Sequence, residues 1–213
     1  MEQIHALRVF RERLQRARSK EELAQFTGGL LKAFPDRYKP LRQYAEEGNE
    51  DIKKRLAFLK SEVKGNFLDV GSYDGFFVFE LAKPGRLAVG VDMMPEAVAY
   101  GREQKARRFS KSTAEFYQAF AEELPFSNET FDTTIVSHTL EHVFDPTQSL
   151  SEAARVTKRG GKLIVIVPPD LGNDPTHVRV VEARWLEDKL TQYGKVSPQK
   201  TVGDGLAYSC LIT

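Results

Sequence analysis

Apolar residues follow two different rhythms along the 213-residue chain, and they change near residue 66. In the first part they recur at helical spacing. Ile4, Leu7, Phe10 (or Arg11) and Leu14 form one stripe with arginines between them, and Ile52, Leu56, Leu59 and Val63 form another. "FPDRYKP" at 34–40 separates the two, and Gly65 ends the second. Residues 1–64 are therefore predicted to be helical, with no strand.

From Asn66 onward, short apolar runs alternate with helical ones. "FLDV", "RLAVGVD", "EFYQAF", "FDTTIVSH" and "GKLIVIVP" read as strands. "FFVFELAK", "PEAVAYGREQKA", "DPTQSLSEAARVTKRGG" and "RWLEDKLTQYG" read as helices. Pro95 opens the second of these, where a missing N–H costs nothing. Asp145 caps the third, with Pro146 at its first position and Gly160 at its stop. "KVSPQKTV" and "LAYSCLIT" read as a closing pair of strands. Strand–helix alternation with short turns predicts an α/β fold, with a mainly parallel sheet covered on both faces. Ligands of such sheets bind beyond the strands' carboxyl ends, which places function after Val70, Val91, Phe120, Val136 and Val167.

Composition adds little to this. With 41% hydrophobic and 29% charged residues and a net charge of +1, the chain shows no global pull toward nucleic acid or membrane. The one cysteine, Cys210, cannot pair within the chain, so a reducing, cytoplasmic setting is expected. The charged N-terminus lacks a signal-peptide pattern, and "LIVIV" is too short to span a bilayer.

The chemistry is concentrated in "NFLDVGSYDGFF", residues 66–77. A dinucleotide loop needs G-x-G-x-x-G, yet the residue two after Gly71 is Tyr73, and Asp69 and Asp74 would repel a pyrophosphate. A Walker G-K-[ST] is absent. A nicotinamide oxidoreductase is disfavoured on these grounds. A cationic, phosphate-free nucleoside such as S-adenosylmethionine suits the loop. Asp69 can accept from its ammonium, the backbone at Gly71 can pass close beneath it, and Asp92, ending the next strand, can hold its ribose hydroxyls. As turn or cap residues these acids would need no ligand, but two of them ending consecutive strands favour one.

From residue 66 to about 192 the chain resembles the class I S-adenosylmethionine-dependent methyltransferases, of the broad type that includes quinone-biosynthesis and other small-molecule methylases. "FLDVGSYDG" resembles the first motif and "GVD" at 90–92 the second-strand acid. "AEELPFSNETFD" resembles the adenine loop, "SHTLEHV" the segment after strand four, and "LSEAARVTKRGGKLIVIVP" the following helix and strand. The resemblance implies a Rossmann-like seven-stranded sheet, mostly parallel with an antiparallel last strand, over 65–213. Residues 1–64 would be a helical extension or lid. It implies S-adenosyl-L-methionine as cofactor, held on the methionine side by Asp69, Gly71, Ser72, Tyr73 and Gly75. Asp92 would take the ribose and Met93 would flank the adenine, with Ala121 and Glu122 at the adenine edge and Ser137 and His138 near the methyl group. Two positions depart from the family. Tyr73 replaces the middle glycine of the first motif, and Phe120 replaces an acid, leaving adenine N6 to Glu122 or a backbone carbonyl.

Methyl transfer mostly requires alignment, with a base only for a protonated acceptor. His138 and His177 are the candidate bases, and His142 is read as structural. His138 and His142 are four apart, but H-x-x-x-H lacks the glutamate of H-E-x-x-H and shows no third ligand nearby, so no metal is expected. Phe26, Phe34, Tyr38 and Tyr44 are candidates for lining the acceptor site. The basic stretches at 8–20 and 101–111 are balanced by acids elsewhere, and nucleic acid is not an expected partner. A small-molecule methyltransferase, with an O, N or C acceptor and with a homodimer left open, is the expected function. The alternatives are an RNA-modifying methylase and a cofactor-binding partner subunit that has lost catalysis.

Overall fold

A computed structural model describes residues 9, 11–33, 40–172 and 174–213. Ile4, Leu7, Phe10, Phe34 and Tyr38 lie outside them. After a helical stretch at 11–15, the helices α1 (Lys20–Ala33), α2 (Leu41–Glu46) and α3 (Glu50–Glu62) lead to the first strand. Asn49 caps α3 by accepting from the Ile52 amide. The alternating part runs β1 (Phe67–Val70), α4 (Phe76–Leu81), β2 (Ala88–Asp92), α5 (Pro95–Arg108), β3 (Ala114–Gln118), β4 (Phe131–Ser137), α6 (Pro146–Val156) and β5 (Thr157–Val167). It ends with α7 (Ala183–Leu190), β6 (Gly194–Val196), β7 (Lys200–Val202) and β8 (Gly205–Ile212).

The sheet order is β3-β2-β1-β4-β5-β8-β6, with β7 also on β8. β1 to β5 pair in parallel, and β8 is antiparallel to β5. The period-two alternation of each strand divides the core between the two faces. Leu68, Val70, Val136, Leu163 and Val165 pack on one face with Leu150, Ala153 and Leu186 of α6 and α7. Phe67, Ala88, Ile135, Ile164 and Ile166 pack on the other with Ile52, Leu59, Phe77 and Val98 of α3, α4 and α5. A third, smaller cluster joins Leu14, Leu23 and Leu30 to Val178, tying the N-terminal helices to the loop after β5.

Two expectations are corrected. The helix capped by Asp145 stops at Val156 rather than at Gly160. Thr157 Oγ1 donates to the Ala153 carbonyl and lies 2.7 Å from Thr134 Oγ1, so the chain turns into the sheet opposite Phe131. Gly160, at φ 74°, makes a turn inside that strand's irregular start. "KVSPQKTV" is also not one strand. Pro198 has no N–H to donate, and the run divides into β6 and β7, which share the outer edge of β8. Eight segments thus fill seven sheet positions.

Candidate functional site

The chain leaves β3 on one side of the sheet and re-enters at β4 on the other side of β1, so the sheet's switch point lies between β1 and β4. The parallel register aligns Val70 with Val91 and with Val136, which brings Gly71, Asp92 and Ser137 to one level. Beyond them is a cavity of about 330 Å³, roofed by Leu23, Thr27 and Leu31 of α1, by Leu41 and Tyr44 of α2 and by Arg55 of α3. Of the candidate site residues, Asp69, Gly71, Ser72, Tyr73, Asp92, Met93, Ala121, Glu122, Ser137, His138 and His177 all line it. Phe26 is not among its walls; it packs in the N-terminal cluster beside Arg13.

Gly75 does not line the cavity either. It precedes α4 with φ 74°, and a Cβ there would come within 2.5 Å of the Phe116 ring. Its contribution is close packing under the loop.

The loop after β1 is held from below. The Gly71 and Ser72 amides both donate to the Val91 carbonyl, at 2.8 and 2.9 Å. Gly71 has φ 75°, and a Cβ would meet Thr139 Oγ1 at 2.6 Å, so only glycine fits. Tyr73 stands where the family has glycine and adopts the left-handed φ of 48° that glycine would supply without strain. Its amide donates to Asp92 Oδ2 at 2.9 Å, while Asp92 Oδ1 accepts from the Met94 amide at 2.9 Å. Asp92 therefore shapes two turns. Each of its oxygens has a second lone pair, so it can still accept from hydroxyls. Asp74 faces away, accepting from the Phe76 and Arg42 amides, and so anchors α2 to the loop.

Asp69 is 2% exposed, and its Oδ2 has no hydrogen-bond partner. Burial, reinforced by Asp92 and Asp74 and opposed by Arg55, pushes its pKa to about 8. Once ionised, a buried acceptor in that position calls for a cationic donor and would repel phosphate. Glu122 is otherwise engaged. Its Oε1 accepts from the Phe144 and Asp145 amides at 2.9 and 3.1 Å, so it braces the segment before α6.

At the far end of the cavity stands a second electron-rich group. His138, at φ 52°, lies 3.5 Å from Glu141 Oε1 through Nδ1 and 3.5 Å from Asp204 Oδ1 through Nε2. Burial, and after it the nearby charge of Arg55, hold its pKa well below the ordinary histidine value. Glu141 is fully buried with neither carboxylate oxygen hydrogen-bonded, and burial pushes its pKa to about 8. Burial likewise lowers His142 to about 4 and moves His177 downward.

Three participants were not singled out from sequence. Arg55 is 6% exposed and lies 3.6 Å from Asp204, with its guanidinium 5.7 Å from the Phe77 ring centroid. A signal for it existed: position 55 falls on the same helical face as Ile52 and Leu59, where an arginine must be buried. Asp204 arrives from the β7–β8 turn. Thr139, whose hydroxyl donates to the Val70 carbonyl at 2.8 Å, fixes the distance between β1 and the segment after β4.

Residues 68–165 match the family model described as "Methyltransferase domain". Over this stretch the chain carries a methyltransferase domain. It is 33% identical to the ubiquinone/menaquinone biosynthesis C-methyltransferase UbiE of Agrobacterium fabrum over 148 residues, 68% of this chain and 55% of that protein. It is 34% identical to the erythromycin 3''-O-methyltransferase of Saccharopolyspora erythraea over 140 residues, 63% of this chain and 45% of that protein. The chain thus spans about half the length of these curated relatives. The crystal structure of a SAM-dependent methyltransferase from Aquifex aeolicus superposes with a TM-score of 0.66 at 20% identity, covering 85% of this chain and 98% of that one, which shows the shared fold. The domain and fold imply use of S-adenosylmethionine in general terms. Among the described residues no helix is long and apolar enough to cross a membrane.

Proposed function

We propose that the protein is an S-adenosylmethionine-dependent methyltransferase acting on a small molecule. The buried, unpartnered Oδ2 of Asp69 beside the close-approach glycine Gly71 carries this reading, because it asks for a cation where a dinucleotide would bring phosphate. Asp69, Gly71, Ser72 and Tyr73 would hold the methionine part, with Gly75 setting the loop's shape. Asp92 would accept from the ribose hydroxyls, Met93 would lie against the adenine, and Ala121 would border its edge. Glu122 would act there through the turn it braces. Ser137, whose Oγ is buried without a hydrogen bond, and His138 would face the reacting end.

When bound, S-adenosylmethionine supplies a methyl group on a positively charged sulfur. The chain's own task is to hold the acceptor in line behind that carbon and to exclude water. Helices α1, α2 and α3 would do this as a lid, because Leu23, Leu31, Leu41 and Tyr44 give the cavity an apolar roof. For an acceptor that arrives protonated, the His138 imidazole would receive the proton. A small-molecule acceptor is favoured because the two relatives' names specify quinone biosynthesis and erythromycin. We place the enzyme in a reducing, cytoplasmic setting, in keeping with a lone, buried, unpaired Cys210.

The deciding experiment is calorimetry of the full chain with S-adenosylmethionine and with a nicotinamide dinucleotide. It should be followed by transfer of labelled methyl to a panel of quinols, sugars and amines, with RNA as a further arm. Saturable binding of the first compound alone, with label appearing in a small molecule, is the expected result. Tight dinucleotide binding, or label appearing in RNA alone, would overturn the proposal.

A further inference from the structure

The fold brings His177 back to the Glu141–His142 pair, although 35 residues separate it from His142 in the chain. His142 Nδ1 lies 3.1 Å from the Thr176 carbonyl and His177 Nδ1 lies 2.8 Å from the Leu171 carbonyl. A carbonyl oxygen can only accept, so each Nδ1 is assigned the ring proton and each Nε2 is left with a bare lone pair. Both lone-pair nitrogens turn toward Glu141 Oε1, at 4.0 and 3.9 Å, with the two rings nearly edge to face at 4.8 Å. Neither oxygen of Glu141 has a hydrogen-bond donor, although the side chain is fully buried. Two nitrogen lone pairs therefore converge on the Glu141 carboxyl, whose Oε1 is also 3.5 Å from His138 Nδ1.

We propose that Glu141, His142 and His177 form a binding site for a divalent first-row transition metal ion, with zinc as the type case. Two imidazoles and one carboxylate are a known zinc ligand set, and imidazole ligands favour such ions over magnesium or calcium. An ion with bonds of about 2.1 Å holds its ligand atoms roughly 3 to 4 Å apart. Here all three ligand atoms lie within 4.8 Å of one another, so closing the cage brings the widest pair together by roughly 1 to 2 Å. The orienting partners are also in place, because each imidazole donates its other N–H to a backbone carbonyl, which fixes tautomer and ring plane. His142, His177 and Thr176 border the same cavity as Ser137 and His138, so the ion's open positions would face the acceptor space and take an oxygen ligand from there. The sequence-based expectation of no metal rested on the lack of a third ligand near His138 and His142. The spacing shows neither the returning His177 nor which member of H-x-x-x-H turns into the cage. This site does not depend on the methyltransferase reading.

The test is titration of the tag-free, chelator-treated full chain with zinc, and with cobalt(II) as a spectroscopic probe. S-adenosylmethionine binding is measured on the same metal-free sample. One equivalent of cobalt(II) should bind with a ligand-field spectrum showing nitrogen ligation. His177→Ala and Glu141→Gln should each weaken it at least about tenfold while far-ultraviolet dichroism stays native. Glu141→Gln keeps the shape of the buried side chain, so it decides the matter if His177→Ala fails to fold. No stoichiometric binding by a sample that still binds S-adenosylmethionine would overturn the site and leave the cofactor reading standing. Unchanged affinity in Glu141→Gln would also overturn it. Stoichiometric, variant-sensitive metal binding without cofactor binding would support the site and count against the methyltransferase reading.

Discussion

Asp69 offers a test in which proton uptake, stability and cofactor affinity are tied together. Its carboxyl ionises near 3.8 in the open chain and near 8 in the fold, chiefly because burial disfavours the charged form. Between those values the folded protein keeps a proton that the unfolded chain has released. Stability therefore falls as pH rises through this window and is lowest above about 8. At about 1.4 kcal/mol per pH unit, the penalty at pH 7 is about 4 kcal/mol. A ligand ammonium at Oδ2 would reverse the preference and expel the proton. Binding of S-adenosylmethionine should then release close to one proton at pH 6.5, and affinity should rise by up to about tenfold per pH unit between roughly pH 5.5 and 7. Near pH 8 the ligand's own amino group starts to deprotonate and the gain ends. Calorimetry in buffers of different ionisation enthalpy measures the proton directly. Asp69→Asn should remove both the proton release and the slope. Without cofactor it should also melt higher than wild type at pH 7, because folding no longer has to protonate a carboxylate that the unfolded chain has ionised. A pH-independent affinity with no proton release, or an Asp69→Asn variant that is no more stable, would refute the assignment of Asp69 to the ammonium.

Three further outcomes are expected. Gly71→Ala combines a left-handed backbone with a Cβ 2.6 Å from Thr139 Oγ1 and should destabilise the fold by about 2–4 kcal/mol in urea denaturation, with cofactor affinity falling alongside. Asp92→Ala should weaken S-adenosylmethionine binding by about 2 kcal/mol, and unchanged affinity would speak against its ribose role. Arg55→Met removes a positive charge that lowers the pKa of both Asp69 and Glu141, so the pH at which cofactor binding releases its proton should move upward in the same calorimetric assay.

What could be read from sequence followed local physics. The "FLDVGSYDG" loop, Pro95 and Asp145 at helix starts, and the alternating strands each carry their signal within a few residues, and all were legible. The missed features depend on contacts far apart in the chain. Thr157 looks helical until it is seen to pair with Phe131 across the sheet. Arg55 shares a helical face with Ile52 and Leu59, but its partner Asp204 comes into view only once α3 is packed beside the β7–β8 turn. His177 reads as a candidate base, but its closeness to His142 appears only once Leu171 and Thr176 fix the two imidazole rings in place. Tyr73 shows the reverse: the missing glycine was legible, but only the fold reveals that tyrosine takes the same left-handed conformation.

The position of β8 has a consequence for how the molecule is made. It lies between β5 and the β6–β7 pair, yet it emerges from the ribosome after both. Until Gly205–Ile212 is released, one flank of β5 has no neighbour, and Asp204 has not reached His138 and Arg55. A partly synthesised chain can form the parallel strands but not the contacts of Asp204 with His138 and Arg55. Substitutions that slow the docking of β8 should therefore lengthen the life of an aggregation-prone precursor.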